Sequence, residues 1–332
     1  MSTGPALSIV VVSPHDFAHV RRTVRHLREQ DDADQLELVL VATTEAAVAD
    51  ARPSELVGFA ATRTVAVGAI PNVDRAAARG VLAASADLVA VIEDHAYVAP
   101  GWVRAVLAAY RDAPWVSVGS VMENANPDSS LSWANLVLGY GWWIDPAAAG
   151  EMRDVPSHNG SYRRAALAAF GEELPDLMVR GGGLHDRLRA DGGRMFLAAD
   201  ARIAHVNPST LPATADLRVN AGRLYGDERR RQERWPAAKR VLYAVAAPLI
   251  PAVRFRRIRA EHLAPGREHA RLFPRALPGM IAALVLDAAG QALGYLRGAG
   301  RAPEVLAVFE MDRMQHLRRR DRERLAEAVP AR

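Results

Sequence analysis

The chain has 332 residues, half of them apolar and 24% charged, and it contains no cysteine. At about 100–200 residues per domain this allows one large domain or two modest ones, and the composition excludes a disordered or fibrous chain. Without cysteine, disulfides, iron–sulfur clusters, thiolate zinc sites and cysteine nucleophiles are ruled out, so any metal must sit on oxygen or imidazole. The net charge of +4 hides an asymmetry: residues 1–217 hold 18 Arg against 26 Asp plus Glu, a net −8, and residues 218–332 hold 24 Lys plus Arg against 12 acids, a net +12. A boundary near Leu217 is therefore expected, with a domain over 1–217 and a basic helical extension over 218–332. The start of the chain lacks the basic stretch and apolar core of a signal peptide, which leads to the expectation of a cytoplasmic protein.

Residues 7–13, LSIVVVS, form a continuous apolar run that ends at Pro14. Val20, Val24 and Leu27 then recur at helical spacing over 20–29, so the opening reads as strand, loop, helix. Further strands are predicted over 36–42 (LELVLVA), 64–68 and 87–92, with an Ala-rich helix over 72–85. Apolar strands that run continuously and alternate with helices predict an α/β fold whose mainly parallel sheet is covered on both faces. A helix over 101–111 and a strand over 115–122 follow. Residues 123–160, rich in Asn, Ser, Gly, Pro and Trp, read as an elaborated surface in which Trp133, Trp142 and Trp143 stack on a ligand, sit at a membrane interface or pack as core. Residues 161–170 read as helix, 172–183 as a loop ending in three glycines, 184–190 as helix, and 194–205 as a strand ending at His205. Beyond these lie two apolar segments with basic flanks, 241–255 and 276–296, and a charged helix over 303–327.

Glu93, Asp94 and His95 directly follow the strand over 87–92, and the carboxyl ends of strands in an open α/β sheet are where ligands bind. A carboxylate there can hold Mg²⁺ or Mn²⁺ through oxygen while the metal bridges nucleotide phosphates. The alternative is an acidic turn that caps a helix. His205 also closes a strand, and its neutral imidazole is a candidate second ligand for Mn²⁺ beside Asp94. No Gly-x-Gly-x-x-Gly follows the first strand and no Walker loop occurs, which argues against a Rossmann dehydrogenase and a P-loop NTPase.

The order LSIVVVSP, LELVLVA, NVDRAAARG, ADLVAVIEDHAYVAPGW, HNGSYRR and LHDRLRADGGRMFLAADARIAH resembles the family 2 nucleotide-sugar glycosyltransferases of GT-A fold, over about residues 7–207. The resemblance implies that Glu93 and Asp94 hold the donor diphosphate through a divalent cation, that His205 contacts the metal, and that Asn72, Arg75 and Arg79 support the donor phosphates. It places Pro14 and Asp16 beside the base and ribose. It also calls for a catalytic carboxylate before the helix at 184–190, but Arg180 and Gly181 occupy those positions. Asp176 is the expected substitute, unless it is only a solvated loop residue. Asp186 lies about 200° around its helix from Leu184.

The activity so implied is a metal-dependent, inverting sugar transfer from a nucleotide diphosphate donor to a hydroxyl acceptor, lipid-linked or of the cell envelope. The alternative is a degenerate fold of the same kind that binds a nucleotide-sugar or a partner without turnover, which the run Gly181 to Gly183 favours. Nucleic acid is not an expected partner, because no zinc finger, aromatic-basic motif or recognition helix accompanies the arginines. Residues 236–300 are expected to lie on an anionic membrane surface at the cytoplasmic face without crossing it, since Pro248 and Pro251 interrupt the first apolar run and Pro278, Asp287 and Gln291 the second. Packing on the catalytic domain, or a homodimer, is the alternative use of these segments.

Overall fold

A computed structural model describes residues 4–179, 182–262 and 273–327. The chain divides into two units, Met1–Glu123 with Asp145–His205, and Asn124–Ile144 with Val206–Arg332.

In chain order the first unit begins with β1 (Leu7–Ser13), α1 (Phe17–Arg28), β2 (Leu36–Ala42), α2 (Pro53–Leu56), β3 (Ala61–Ala66), α3 (Val73–Ala83), β4 (Leu88–Val91), β5 (Ala96–Val98), α4 (Trp102–Asp112) and β6 (Ser117–Asn124). After α5 (Ser130–Tyr140), which lies in the second unit, it resumes with β7 (Gly150–Met152), β8 (Gly160–Arg163), α6 (Arg164–Ala168), α7 (Leu174–Met178), α8 (Leu184–Ala190) and β9 (Met195–His205). The strands form one sheet in the order β3-β2-β1-β4-β8-β6-β9-β5, with β7 paired to β9. The four strands from β3 to β4 run parallel, and β8, β5 and β7 make antiparallel pairs. Every residue of β1, β2 and β4 is buried, as continuous apolar strands covered on both faces require. Helix α3 packs Ala76, Ala77, Ala78 and Val81 onto the sheet, small side chains that let its axis approach closely.

Several expectations shift. Residues 161–170 are not one helix: Gly160–Arg163 is a strand hydrogen-bonded between β4 and β6, and only Arg164–Ala168 is helical, because pairing on both edges outweighs local helical pattern. The loop over 172–183 contains α7, and β3 starts three residues earlier than expected.

The second unit is helical: α5, then α9 (Leu211–Gln232), α10 (Ala237–Ala246), α11 (Ile250–His262), α12 (Phe273–Arg297), α13 (Ala302–Met311) and α14 (Arg319–Glu327). Leu217 lies inside α9, so the charge asymmetry does not coincide with a break between elements. The single helix expected over 303–327 is interrupted between Met311 and Arg319. The polar segment over 123–160 is not simply surface: Ser132, Asn135 and Trp133 of α5 are buried, and Asn135 donates to the Pro208 carbonyl and the Thr214 hydroxyl, both at 3.0 Å, while accepting from Arg218 Nε at 2.8 Å. Trp142 is exposed.

Helices α9 and α12 cross at close range. A Cβ on Gly226 would sit 2.6 Å from the Gln291 carbonyl oxygen, and one on Gly222, Gly290 or Gly294 would also strike the opposite backbone. By length and composition α12 could cross a membrane, with a mean hydropathy of 1.5 over 18 residues, but half of that window is buried within the protein. Its Asp287 is among the buried residues, 2.5 Å from Arg254 Nη1 and 2.7 Å from Gln291 Nε2.

Candidate metal centre

β4 delivers the chain into a tight turn at Glu93, Asp94 and His95, closed by the Ala96 N–H donating to the Glu93 carbonyl at 3.1 Å. Thr23 of α1 fixes the turn from outside, its hydroxyl donating to the Asp94 carbonyl at 2.7 Å. Sheet register then brings two distant segments to it. β5 pairs with β9 so that Ala96 lies opposite His205, and β8 pairs with β4 so that Gly160 lies opposite Val91, with the Asn159 N–H donating to the Val91 carbonyl at 2.8 Å.

Glu93 is the hub. Its Oε2 lies 3.2 Å from His205 Nε2 and 3.6 Å from His95 Nε2, and it accepts from Asn159 Nδ2 at 2.6 Å. Asn159 Oδ1 returns the contact by accepting the Glu93 N–H at 3.0 Å. Asn159 holds this double contact from a left-handed backbone, φ 61°, a region asparagine tolerates better than most residues. One ligand atom each from Glu93, His95 and His205 lie within 4.8 Å of one another, and both histidines are buried. Burial pushes the Glu93 carboxyl up, but the His95 charge, the His205 hydrogen bond and charge, and the His158 charge outweigh it and hold the group well below the usual carboxylate range.

Of the two expected metal ligands, His205 joins this cluster and Asp94 stands behind it. Asp94 Oδ1 is 2.6 Å from His95 Nδ1, and its Oδ2 is 3.4 Å from His19 Nε2. A carboxylate on Nδ1 fixes the ring so that Nε2 faces Glu93, the usual arrangement behind a metal-bound histidine. His95 was not among the expected ligands. The signal available was its place in the same turn at the end of β4, two residues after Glu93.

The donor-support residues lie on neighbouring elements. Asn72 caps α3, its Oδ1 accepting the Asp74 and Arg75 N–H groups at 3.0 Å. Asp74 Oδ1 lies 3.5 Å from His158 Nδ1, next in sequence to Asn159, so the start of α3 is linked to the Glu93 cluster. Arg75 pairs with Asp176 of α7, both more than half exposed, so the structure brings an expected phosphate-binding residue and the expected base together. Arg79 is exposed on α3. Asp16 caps α1, accepting the His19 N–H at 3.1 Å, and Pro14 before it is buried. Asp186 pairs with Arg189 on its own helix.

Arg180 and Gly181, where the resemblance places a carboxylate, lie outside the described residues. Gly182 and Gly183 have structural reasons. A Cβ on Gly182 would run into the Asp176 and Leu177 carbonyl oxygens, and Gly183 enters α8 at φ 81°.

No protein-family model matches the chain, and a search of curated proteins finds no match. Solved structures do resemble it. A mannosyltransferase from Pyrobaculum calidifontis, in complex with GDP-Man and Mn²⁺, matches with a TM-score of 0.53 at 16% identity, covering 87% of each chain. S. aureus TarS residues 1–349 in complex with UDP matches with a TM-score of 0.47 at 15% identity over 98% of this chain and 93% of that one. GalNAc-T7 with UDP, GalNAc and Mn²⁺ matches with a TM-score of 0.44 at 13% identity over 62% of this chain, which spans only 44% of that structure. The parallel strands β3-β2-β1-β4, the antiparallel extension beyond them and the likeness to the mannosyltransferase identify the first unit's architecture as a GT-A-type glycosyltransferase fold.

Proposed function

We propose that the chain is a glycosyltransferase that moves a sugar from a nucleoside diphosphate donor to a hydroxyl acceptor with the help of a divalent cation, as an inverting, family 2-like enzyme. The observation that carries the reading is the Glu93, His95 and His205 cluster at the carboxyl end of β4, in a fold shared with a mannosyltransferase that binds GDP-Man and Mn²⁺. One carboxylate oxygen and two imidazole nitrogens suit Mn²⁺ better than Mg²⁺, which prefers oxygen alone. A bound cation would supply positive charge to the departing diphosphate.

The protein's own residues divide the remaining work. Asp94 orients His95, Asn159 orients Glu93, and the capped start of α3 presents Arg75 where a phosphate could displace Asp176 from it. Asp176, once released, is the carboxylate we assign to the acceptor proton, on the face of the sugar opposite the leaving group. The test is a panel of nucleotide-sugars with Mn²⁺, monitored by release of free nucleoside diphosphate and by the anomeric configuration of the product. Tight nucleotide binding with no turnover on any donor and acceptor pair would instead support the non-catalytic reading.

A further inference from the structure

Surface helices of soluble proteins normally turn a polar face to solvent. The α10–α11 segment does the reverse. Val241, Leu242, Val245, Leu249 and Val253 recur at steps of one, three, four and four residues, and each is half or more exposed, Val245 most of all at 75%. On the packed neighbour α12, Ile281, Val285 and Leu296 are likewise half or more exposed. The stripe on α11 runs directly into Arg256, Arg257 and Arg259, all exposed.

We infer that this face docks on an anionic lipid surface, with α10 and α11 lying in the plane of the headgroups, apolar side chains inward and the three arginines on lipid phosphates. Apolar stripe and exposed cations in one helical segment are the chemistry of an interfacial helix. The arginines decide against a second copy of the chain. A second copy would bring another strongly basic surface to it, because residues 218–332 carry a net +12 in each copy. The inference does not rest on the glycosyl-transfer reading.

Flotation of the full chain with vesicles tests it without any donor or acceptor. The protein should float with vesicles containing phosphatidylglycerol, fail to float with phosphatidylcholine alone, and bind less in high salt. Val245→Glu with Leu249→Glu should abolish flotation while leaving the circular dichroism and melting temperature unchanged, since both side chains are exposed. Arg256→Ser, Arg257→Ser and Arg259→Ser together should weaken binding about 100-fold, at about fivefold per arginine. Vesicle-bound protein should come off in an alkaline carbonate wash. Three results would overturn the inference: no flotation with any vesicle, flotation indifferent to Val245→Glu with Leu249→Glu, or a dimer by light scattering that this variant dissociates. Retention through the carbonate wash would overturn the in-plane orientation in favour of an inserted helix.

Discussion

Asn159 makes the strongest quantitative claim in the metal centre, because one side chain contacts Glu93 through both its amide nitrogen and its oxygen. Truncation to alanine removes a hydrogen bond to a carboxylate, about 1.5–3 kcal/mol, and a neutral one from a backbone N–H, about 0.5–1.5 kcal/mol. Alanine must also hold φ 61°, which costs about 1–2 kcal/mol for a residue without a local polar contact. The lower ends sum to about 3 kcal/mol, and we expect a loss near that figure because water entering the vacated volume recovers part of the bonding. Asn159→Gly separates the terms. It loses the same two hydrogen bonds but adopts the backbone freely, so it should be about 1 kcal/mol less destabilising than Asn159→Ala. Urea denaturation of the three proteins, read at several wavelengths to check that the transition is single, measures both differences. An Asn159→Ala protein within about 0.5 kcal/mol of wild type, a size ordinary for surface changes, would refute the role assigned to this residue.

Calorimetry with Mn²⁺ should separate the two adjacent carboxylates: Glu93→Gln loses a ligand and should abolish saturable binding, whereas Asp94→Ala loses only the group that orients His95 and should weaken binding about 10–100-fold. Equal effects from both would mean that Asp94 is itself a ligand. Asp176→Asn should lower turnover by about 100-fold or more, the scale of a lost general base, while donor affinity holds or rises because Arg75 loses its ion-pair competitor; activity within twofold of wild type would place the base elsewhere. Glu233 is held down at about 2, first by the Trp235 indole N–H, then by Lys239 and Arg229. Its folded value lies below the ordinary 4.5, so its contribution to stability is present above that value and disappears as the pH falls through the interval toward about 2. The stability gap between wild type and Glu233→Gln, followed by fluorescence of the buried Trp235, should therefore be constant above about pH 5 and close on acidification; a gap that persists at pH 2 would remove the ionised carboxylate as its source.

The elements visible in the sequence are those whose burial is written into consecutive residues. β1 and β2 match the predicted runs residue for residue, and every one of their side chains is buried. α8 and β9 follow for similar reasons, with Leu184 and Leu188 on one helical face and His205 closing the strand. β5 has three residues, too few for any period to show. β8 is a strand because β4 and β6 flank it, and Gly-Ser-Tyr-Arg carries no strand signal strong enough to announce that. The site was legible as a location and less so as a set of ligands. Glu93, Asp94 and His205 were found from their places at strand ends. Which of two adjacent carboxylates turns toward His205 depends on a turn whose geometry is set by Thr23, 70 residues upstream of Glu93, and by Asn159. The pairing of Asp176 with Arg75 joins two helices about 100 residues apart and leaves no local trace in either.

The opposition of Ala96 and His205 across β5 and β9 has a further consequence for how the chain tolerates change. Side chains alternate along a strand, so a slip of one position in this antiparallel pair would carry His205 to the other face of the sheet and Ile203, now fully buried, out of its own. The candidate metal cluster and the core would fail together. A single inserted or deleted residue between Met195 and His205 is thus a different kind of lesion from a substitution there. It breaks the pairing of β5 with β9 along its whole length at once, and the three candidate ligands act as a check that distant strands have been zipped in step.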